Sequence, residues 1–268
     1  MRKLPFSKAQ AVGNDFLVIE WAELERAGYR EKDLPELARR LCERRTGVGA
    51  DGLEMVYPSE AADARIRIFN SDGSEAEISG NGTRCVAAWL FERSSQQDEL
   101  RIETAAGVKS IRLIARRDPA FDLEMEMGAP KWDESETDLD LPDGSLRVTL
   151  LDVGNPQCVV FVDDFPSRWR QTGVEIERHP RFPNRTNVSF VKVLDVHTIE
   201  ARFWERGAGE TASSGTGSTG AAAASVLTGR TRSPVTVRTS AGEMQLRWDD
   251  SVVLSGPAQV IASGICYV

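Results

Sequence analysis

Two serines stand where a chain could do proton chemistry. Ser79 opens Ser79-Gly80-Asn81-Gly82 and Ser214 opens Ser214-Gly215-Thr216-Gly217. An acidic segment precedes each one, Glu75 and Glu77 in the first case, Glu205 and Glu210 in the second. Each Ser-Gly-x-Gly turn runs into a helix-favouring apolar stretch, Val86–Phe91 and Ala221–Leu227. Glycines before a helix let backbone amides point at a ligand, and the helix N-terminus adds a partial positive charge. Two such starts about half a chain apart imply two similar halves closing on one small anionic ligand.

Asparagines surround these turns. They lie in Gly13-Asn14-Asp15-Phe16, Phe69-Asn70-Ser71-Asp72-Gly73-Ser74, Gly154-Asn155-Pro156-Gln157 and Arg185-Thr186-Asn187, and a further polar segment is Glu205-Arg206-Gly207-Ala208-Gly209-Glu210-Thr211. Any one Asn beside Gly or Pro reads by default as a turn residue, and Arg206 beside Glu205 as a surface ion pair. Their joint occurrence around two helix starts is what points to a site.

Other chemistries are poorly served. Cys42, Cys85, Cys158 and Cys266 are scattered without CxxC pairing, so neither a zinc site nor a disulfide framework is signalled, and a reduced cytoplasmic compartment is expected. His179 and His197 are the only histidines, too few for a His-rich metal site. No Gly-x-Ser-x-Gly elbow supports a serine hydrolase, and Gly207–Gly220 lacks the Gly-Lys-Ser/Thr ending of a phosphate-binding loop. No metal and no cofactor is implied.

The elements that must position these residues follow from length and patterning. At 268 residues the chain fits one large domain or two ordinary ones, and 41% apolar content suffices for a packed core. A net charge of −8 with mixed signs argues against a nucleic-acid surface. The start shows no signal-peptide pattern, and no apolar run approaches a membrane span.

Residues 4–20 read as two strands about the Val12–Phe16 turn, and Leu34 to Arg45 has helical spacing. Gly49–Val56 reads as a turn and a strand, and Ala64–Asn70 alternates Arg and Ile as a half-buried strand does. Short strands are expected at Leu100–Thr104, Val108–Ala115 and Leu123–Met127. The acidic stretch from Asp133 to Asp143 reads as a surface connection. The second half repeats the style, with strands at Leu146–Val153, Val159–Asp163, Asn187–Val193 and Thr198–Trp204, and a short helix near Arg168. Past the second glycine-rich helix, strands are expected at Val235–Thr239, Glu243–Trp248 and Val252–Ser255. The fold class is α+β, two pseudo-symmetric domains, each an antiparallel sheet curled around a central helix.

The chain resembles diaminopimelate epimerase, the cofactor-independent amino-acid epimerase of lysine and peptidoglycan biosynthesis. The resemblance covers essentially the whole chain. Besides the asparagine motifs and Glu205–Thr211, Gly47-Val48-Gly49-Ala50-Asp51-Gly52, Gly80-Asn81-Gly82-Thr83-Arg84-Cys85 and His179–Asn187 carry it. It implies two domains, 1–126 with 257–268 and 127–256, an active-site cleft between them, and a homodimer. It implies a small zwitterionic amino-acid substrate held by Asn14, Asn70, Asn155 and Asn187. Glu205 and Arg206 match the pair that grips the distal group. Gly80, Asn81, Gly215 and Thr216 match the helix starts whose amides cradle the α-carboxylate.

At four positions the chain departs from the resemblance. The family inverts its stereocentre with two cysteines, and here both positions are serine, Ser79 and Ser214. Gln10 and Gln157 stand where the bacterial family usually has His, and Cys85 matches a non-catalytic cysteine. A thiol has a pKa near ~8.5 and a hydroxyl lies closer to water at ~15.7, so making the base costs roughly 7–10 kcal/mol more. Helix dipoles return only about 1 kcal/mol each. Glu77 and Glu210 are the sequence-local carboxylates available as substitute bases, although structural roles at the helix starts fit both better. Three readings stay open. The serines could be an engineered pair that traps substrate. The chain could be a divergent member isomerising or binding another small amino acid. Or it could be a non-catalytic binding protein.

Overall fold

Alternation along the strands sorts the first core. In a computed structural model describing residues 2–94, 97–132 and 135–268, the chain divides into two compact units, Met1–Met125 with Gly256–Val268, and Glu126–Ser255.

The first unit holds β1 (Lys3–Ala11), β2 (Asn14–Glu20), α1 (Trp21–Arg26), α2 (Leu34–Cys42), β3 (Gly52–Tyr57), β4 (Ala64–Asn70), β5 (Glu75–Ala76), α3 (Gly80–Arg93), β6 (Glu99–Thr104), β7 (Gly107–Arg117) and most of β8 (Ala120–Gly128). Leu17, Ile19, Leu53 and Met55 cluster with Leu34, Leu37 and Leu41 of α2. The intervening residues of β2 and β3 therefore turn to the other face. There α3 packs against β1, β2, β3 and β6 and is buried from Gly80 to Trp89. Apart from Asn81, Thr83 and Arg84, its residues from Gly80 to Trp89 are apolar or small and leave no solvent face, which is why it occupies the middle of its unit.

The second unit repeats the plan with β9 (Thr137–Leu141), β10 (Gly144–Asp152), β11 (Pro156–Phe161), α4 (Trp169–Glu177), β12 (Asn187–Asp195), β13 (Thr198–Glu205), β14 (Gly209–Thr211), α5 (Gly215–Leu227), β15 (Val235–Thr239), β16 (Gly242–Trp248) and the start of β17 (Val252–Tyr267). Here α5 packs against β10, β11, β12, β13, β15 and β16. Its residues Gly215 to Ser225 are buried. Cys158, Val160, Val188 and Phe190 face Trp169 and Ile176 of α4 on the outer side.

Most strand pairs are antiparallel, as expected, but each unit also holds two parallel pairs. They are β2 with β3 and β4 with β6, and in the repeat β11 with β12 and β13 with β15. Each parallel pair spans a helix-bearing crossover, which returns the chain in its original direction. The pairings recur in the same order, so β4, α3 and β6 correspond to β13, α5 and β15.

Three local expectations are corrected. The acidic stretch contains strand β9, whose Leu139 is buried, and it pairs with β10 from Thr137 to Leu141. Asp133 and Glu134 lie outside the described residues. The last strand does not stop at Ser255. It continues to Tyr267 and pairs with β1, Lys3 facing Tyr267 and Gln10 facing Gln259. Helix α2 ends at Cys42, not Arg45, because Glu43 turns extended and the amides of Val48 and Gly49 both take the Leu41 carbonyl. Among the described residues no helix is long and apolar enough to cross a membrane.

Candidate active site

Ser79 and Ser214 are the N-caps of α3 and α5. Each side-chain oxygen accepts the amide of the glycine three residues on, Gly82 and Gly217, at 3.0 Å. Both serines have extended backbone, φ −127° and −141°, the conformation a capping side chain needs to fold back on the first turn. The glycine spacing is steric. A Cβ on Gly217 would stand 2.7 Å from the Phe203 ring, and one on Gly82 would stand 1.8 Å from Glu54 Oε1.

In the first unit the asparagines form a chain of hydrogen bonds. Arg84 Nη2 donates to Asn81 Oδ1 at 2.8 Å, Asn81 Nδ2 to Asn14 Oδ1 at 3.3 Å, and Asn14 Nδ2 to Asp51 Oδ2 at 2.7 Å. Arg44 then bridges Asp51 and Asp15 at 2.7 and 2.8 Å, and Lys8 pairs with Asp15 at 2.9 Å. Burial would raise the Asp15 carboxyl, but the Arg44 and Lys8 bonds and charges outweigh it and hold the group below its usual value. Burial lowers the Arg84 guanidinium to about 10, so it stays charged at neutral pH. Asn70 is half-buried and donates to Ser74 Oγ at 2.9 Å within its own turn. Gly80 and Asn81 are fully inside the first turn of α3.

In the second unit Asn155 Nδ2 donates to Thr216 Oγ1 at 3.4 Å, and Gln157 Nε2 donates to Asn155 Oδ1 at 2.7 Å. Asn187 accepts the amide of Arg206 at 3.0 Å and donates to the Pro156 carbonyl at 3.1 Å. Gln157 is thus a buried orienter of Asn155, a role an amide fills without any proton chemistry. Gly215 and Thr216 form the buried first turn of α5.

The carboxylate at the second cap is Glu205. Its Oε2 accepts the Ser214 hydroxyl at 2.8 Å and its Oε1 accepts the Thr211 hydroxyl at 2.6 Å. Glu205 ends β13 as Asn70 ends β4. Sequence reasoning tied Glu205 to a substrate's distal group, and named Glu77 and Glu210 as the carboxylates within reach while favouring structural roles for both. Glu210 is exposed and paired with Arg170. The short return of β14 onto β13, Glu205 facing Gly209, is what folds Glu205 back onto the helix start, and that hairpin has no pattern in the sequence.

The cysteines offer no substitute base. All four are buried and unpaired in disulfides. Burial pushes Cys85 well above its ordinary value and Cys42 up to about 12. Sequence reasoning also missed Glu54, a fully buried carboxyl in β3. Its only signal was one acidic residue inside the apolar run Leu53-Glu54-Met55-Val56.

The chain is similar to known proteins in sequence and in fold. The model of the family described as diaminopimelate epimerase matches residues 6–132 and 149–261. The diaminopimelate epimerase of Pelotomaculum thermopropionicum is 42% identical over 97% of each chain. That of Moorella thermoacetica is 42% identical over 97% of this chain and 98% of its own. Among solved structures, a hydroxyproline epimerase from Agrobacterium vitis superposes with a TM-score of 0.78 at 17% identity, over 98% of this chain and 92% of that one. A probable proline racemase from Agrobacterium radiobacter gives 0.77 at 18%, over 99% and 92%. These two likenesses speak for the fold, and the full-length sequence identity speaks for descent: the chain belongs to the diaminopimelate epimerase family.

Proposed function

We propose that this chain is an isomerase that interconverts LL- and meso-diaminopimelate by moving a proton off and onto the α-carbon. The observation that carries the reading is the Ser214 hydroxyl donating to Glu205 at 2.8 Å at the N-cap of a buried helix, with a second serine cap repeated in the other unit. Each unit is then one epimerase domain.

A bare serine alkoxide is out of reach at neutral pH, but the pair avoids it. As Ser214 Oγ takes the Cα proton, its own proton passes to Glu205. The hydroxyl is neutral before and after, the carboxylate becomes a carboxylic acid, and the electron pair stays on the α-carbon. Deprotonation beside a carboxylate needs the developing negative charge held by fixed donors, and the first-turn amides of Gly80, Asn81, Gly215 and Thr216 are of that kind. Asn14, Asn70, Asn155 and Asn187 hold the polar ends of a small zwitterionic amino acid, and Arg206 the distal carboxylate. No cofactor is needed for this chemistry. Buried free cysteines fit a cytoplasmic enzyme, and a homodimer rests on the family resemblance alone.

The test is Cα-hydrogen exchange followed by NMR, with LL-diaminopimelate incubated with the protein in D2O. Deuterium at Cα together with meso product is the expected result. Saturable binding without exchange would leave a binding protein, and neither binding nor exchange would mean a different substrate.

A further inference from the structure

The two caps are not chemically alike. In the second unit the carboxylate beside the capping serine comes from the last residue of β13, Glu205. The matching last residue of β4 is Asn70, whose amide is spent on Ser74. Only one of the two caps thus has a carboxylate where the repeat would put it.

The first unit brings a carboxyl from the neighbouring strand. Glu54 lies between Leu53 and Met55, which face α2, so its own side chain turns to α3. It is 0% exposed, and neither carboxyl oxygen has a hydrogen-bond partner. A buried polar group without a partner costs on the order of 1–3 kcal/mol or more, and a native structure retains one rarely and for a reason. The group is aimed at the first turn of α3. A Cβ placed on Gly82 would be 1.8 Å from Glu54 Oε1 and 3.2 Å from Ser79 Cβ. Gly82, lacking a Cβ, therefore leaves the carboxyl room beside the turn that Ser79 caps. Ser79 Oγ accepts the Gly82 amide, and among the described residues no acceptor takes its own hydrogen. The matching inward position on β12 carries Ser189, which donates to the Gly217 carbonyl at 3.4 Å and holds no exchangeable acid.

We propose that Glu54 is the proton reserve behind Ser79, a positioning residue that acts through the Ser79 hydroxyl. The proposal rests on the reading above. As Ser79 Oγ gives its proton to the α-carbanion, the Glu54 carboxylic acid gives its proton to Ser79 Oγ. The carbanion's electron pair becomes the new C–H bond, and Glu54 is left as carboxylate. In the reverse reaction Glu54 takes that proton back through the same hydroxyl. With Glu205 accepting through Ser214, one proton leaves and one arrives per inversion. The environments divide the labour. Burial alone keeps Glu54 protonated well above the usual carboxylate range, whereas Glu205 accepts hydroxyl hydrogen bonds on both oxygens. Carboxyl groups in opposite environments divide into an acid and a base.

The experiment compares Glu54→Gln and Glu54→Asp with the parent in D2O, reading inversion, Cα exchange, KM and thermal midpoint. Glu54→Gln keeps the shape and loses the transferable proton. It is expected to lower kcat for inversion about a hundredfold, to leave KM within about twofold, and to melt no lower than the parent. One stereoisomer is expected to exchange its Cα hydrogen without inverting, since removal through Ser214 and Glu205 is untouched. Glu54→Asp is expected to keep part of the rate. Inversion by Glu54→Gln within about threefold of the parent overturns the proposal and leaves the epimerase reading standing. A rate loss matched by a lower melting point and an equal loss in Glu54→Asp overturns it as a packing effect. A parent with no Cα exchange at all overturns both.

Discussion

Ser214 Oγ donates to Glu205 Oε2 at 2.8 Å while it accepts the Gly217 amide at 3.0 Å. The same oxygen caps a helix and addresses a carboxylate, so fold and chemistry meet on one atom.

That double duty separates the effects of two substitutions. Glu205→Gln keeps the cap and removes the proton acceptor, so exchange should fall by about 10²- to 10⁴-fold with little change in melting. Ser214→Ala should abolish exchange and also cost about 1 kcal/mol of stability through the lost cap. Equal loss of stability in both variants would show that Glu205 is structural.

Returning a thiol to both caps tests the serines directly. Ser79→Cys with Ser214→Cys is expected to raise Cα exchange, since a thiol near ~8.5 ionises far more readily than a hydroxyl. No gain would mean that the surroundings of both caps have adapted to relays through hydroxyl and carboxylate.

Glu54 has a signature in the pH dependence of stability. Its folded pKa lies above the ordinary 4.5, so between those values the native state holds a proton that the unfolded chain has lost. Stability contributed by Glu54 is then unaffected below about pH 4.5 and falls as pH rises, by about 1.4 kcal/mol per unit until the folded pKa is reached. Melting curves of Glu54→Gln and the parent should coincide at pH 4 and diverge toward neutrality, the variant being the more stable. Asp15 works in the opposite sense. Its lowered carboxyl stabilises above 3.8 and that stability is lost as pH falls through the folded value.

The cysteines give a control. A thiol reagent should label the native protein slowly at neutral pH and all four cysteines after unfolding, and Cys85→Ala should exchange Cα hydrogen at the parent rate. Loss of exchange in Cys85→Ala without loss of fold would place the base at Cys85 instead.

Much of this molecule is legible in its residues. The two glycine-opened helices, the alternating strands and the asparagine turns lie close to where periodicity and turn chemistry put them. What escaped was set by tertiary context. Helix α1 spans Trp21–Arg26, too short for a helical period to show. Strand β9 hides in an acidic stretch because its partner, not its polarity, decides its state. The parallel pairs follow from crossovers, which composition does not encode. At the site, Glu205 was singled out for another role, and Glu54 passed unnoticed because a single acidic letter in an apolar strand says nothing of which face it turns to.

Strand β17 has one more consequence. The first unit takes residues 256–268 to complete its sheet, and Arg2 and Val268 exchange backbone hydrogen bonds at 2.8 and 3.0 Å. During synthesis the second unit, contiguous from Glu126 to Ser255, has all its strands before the first has its last one. The half carrying Ser214 can therefore assemble on the ribosome ahead of the half carrying Ser79. A truncation of the final dozen residues would strip a strand from the half made first and leave the later one whole.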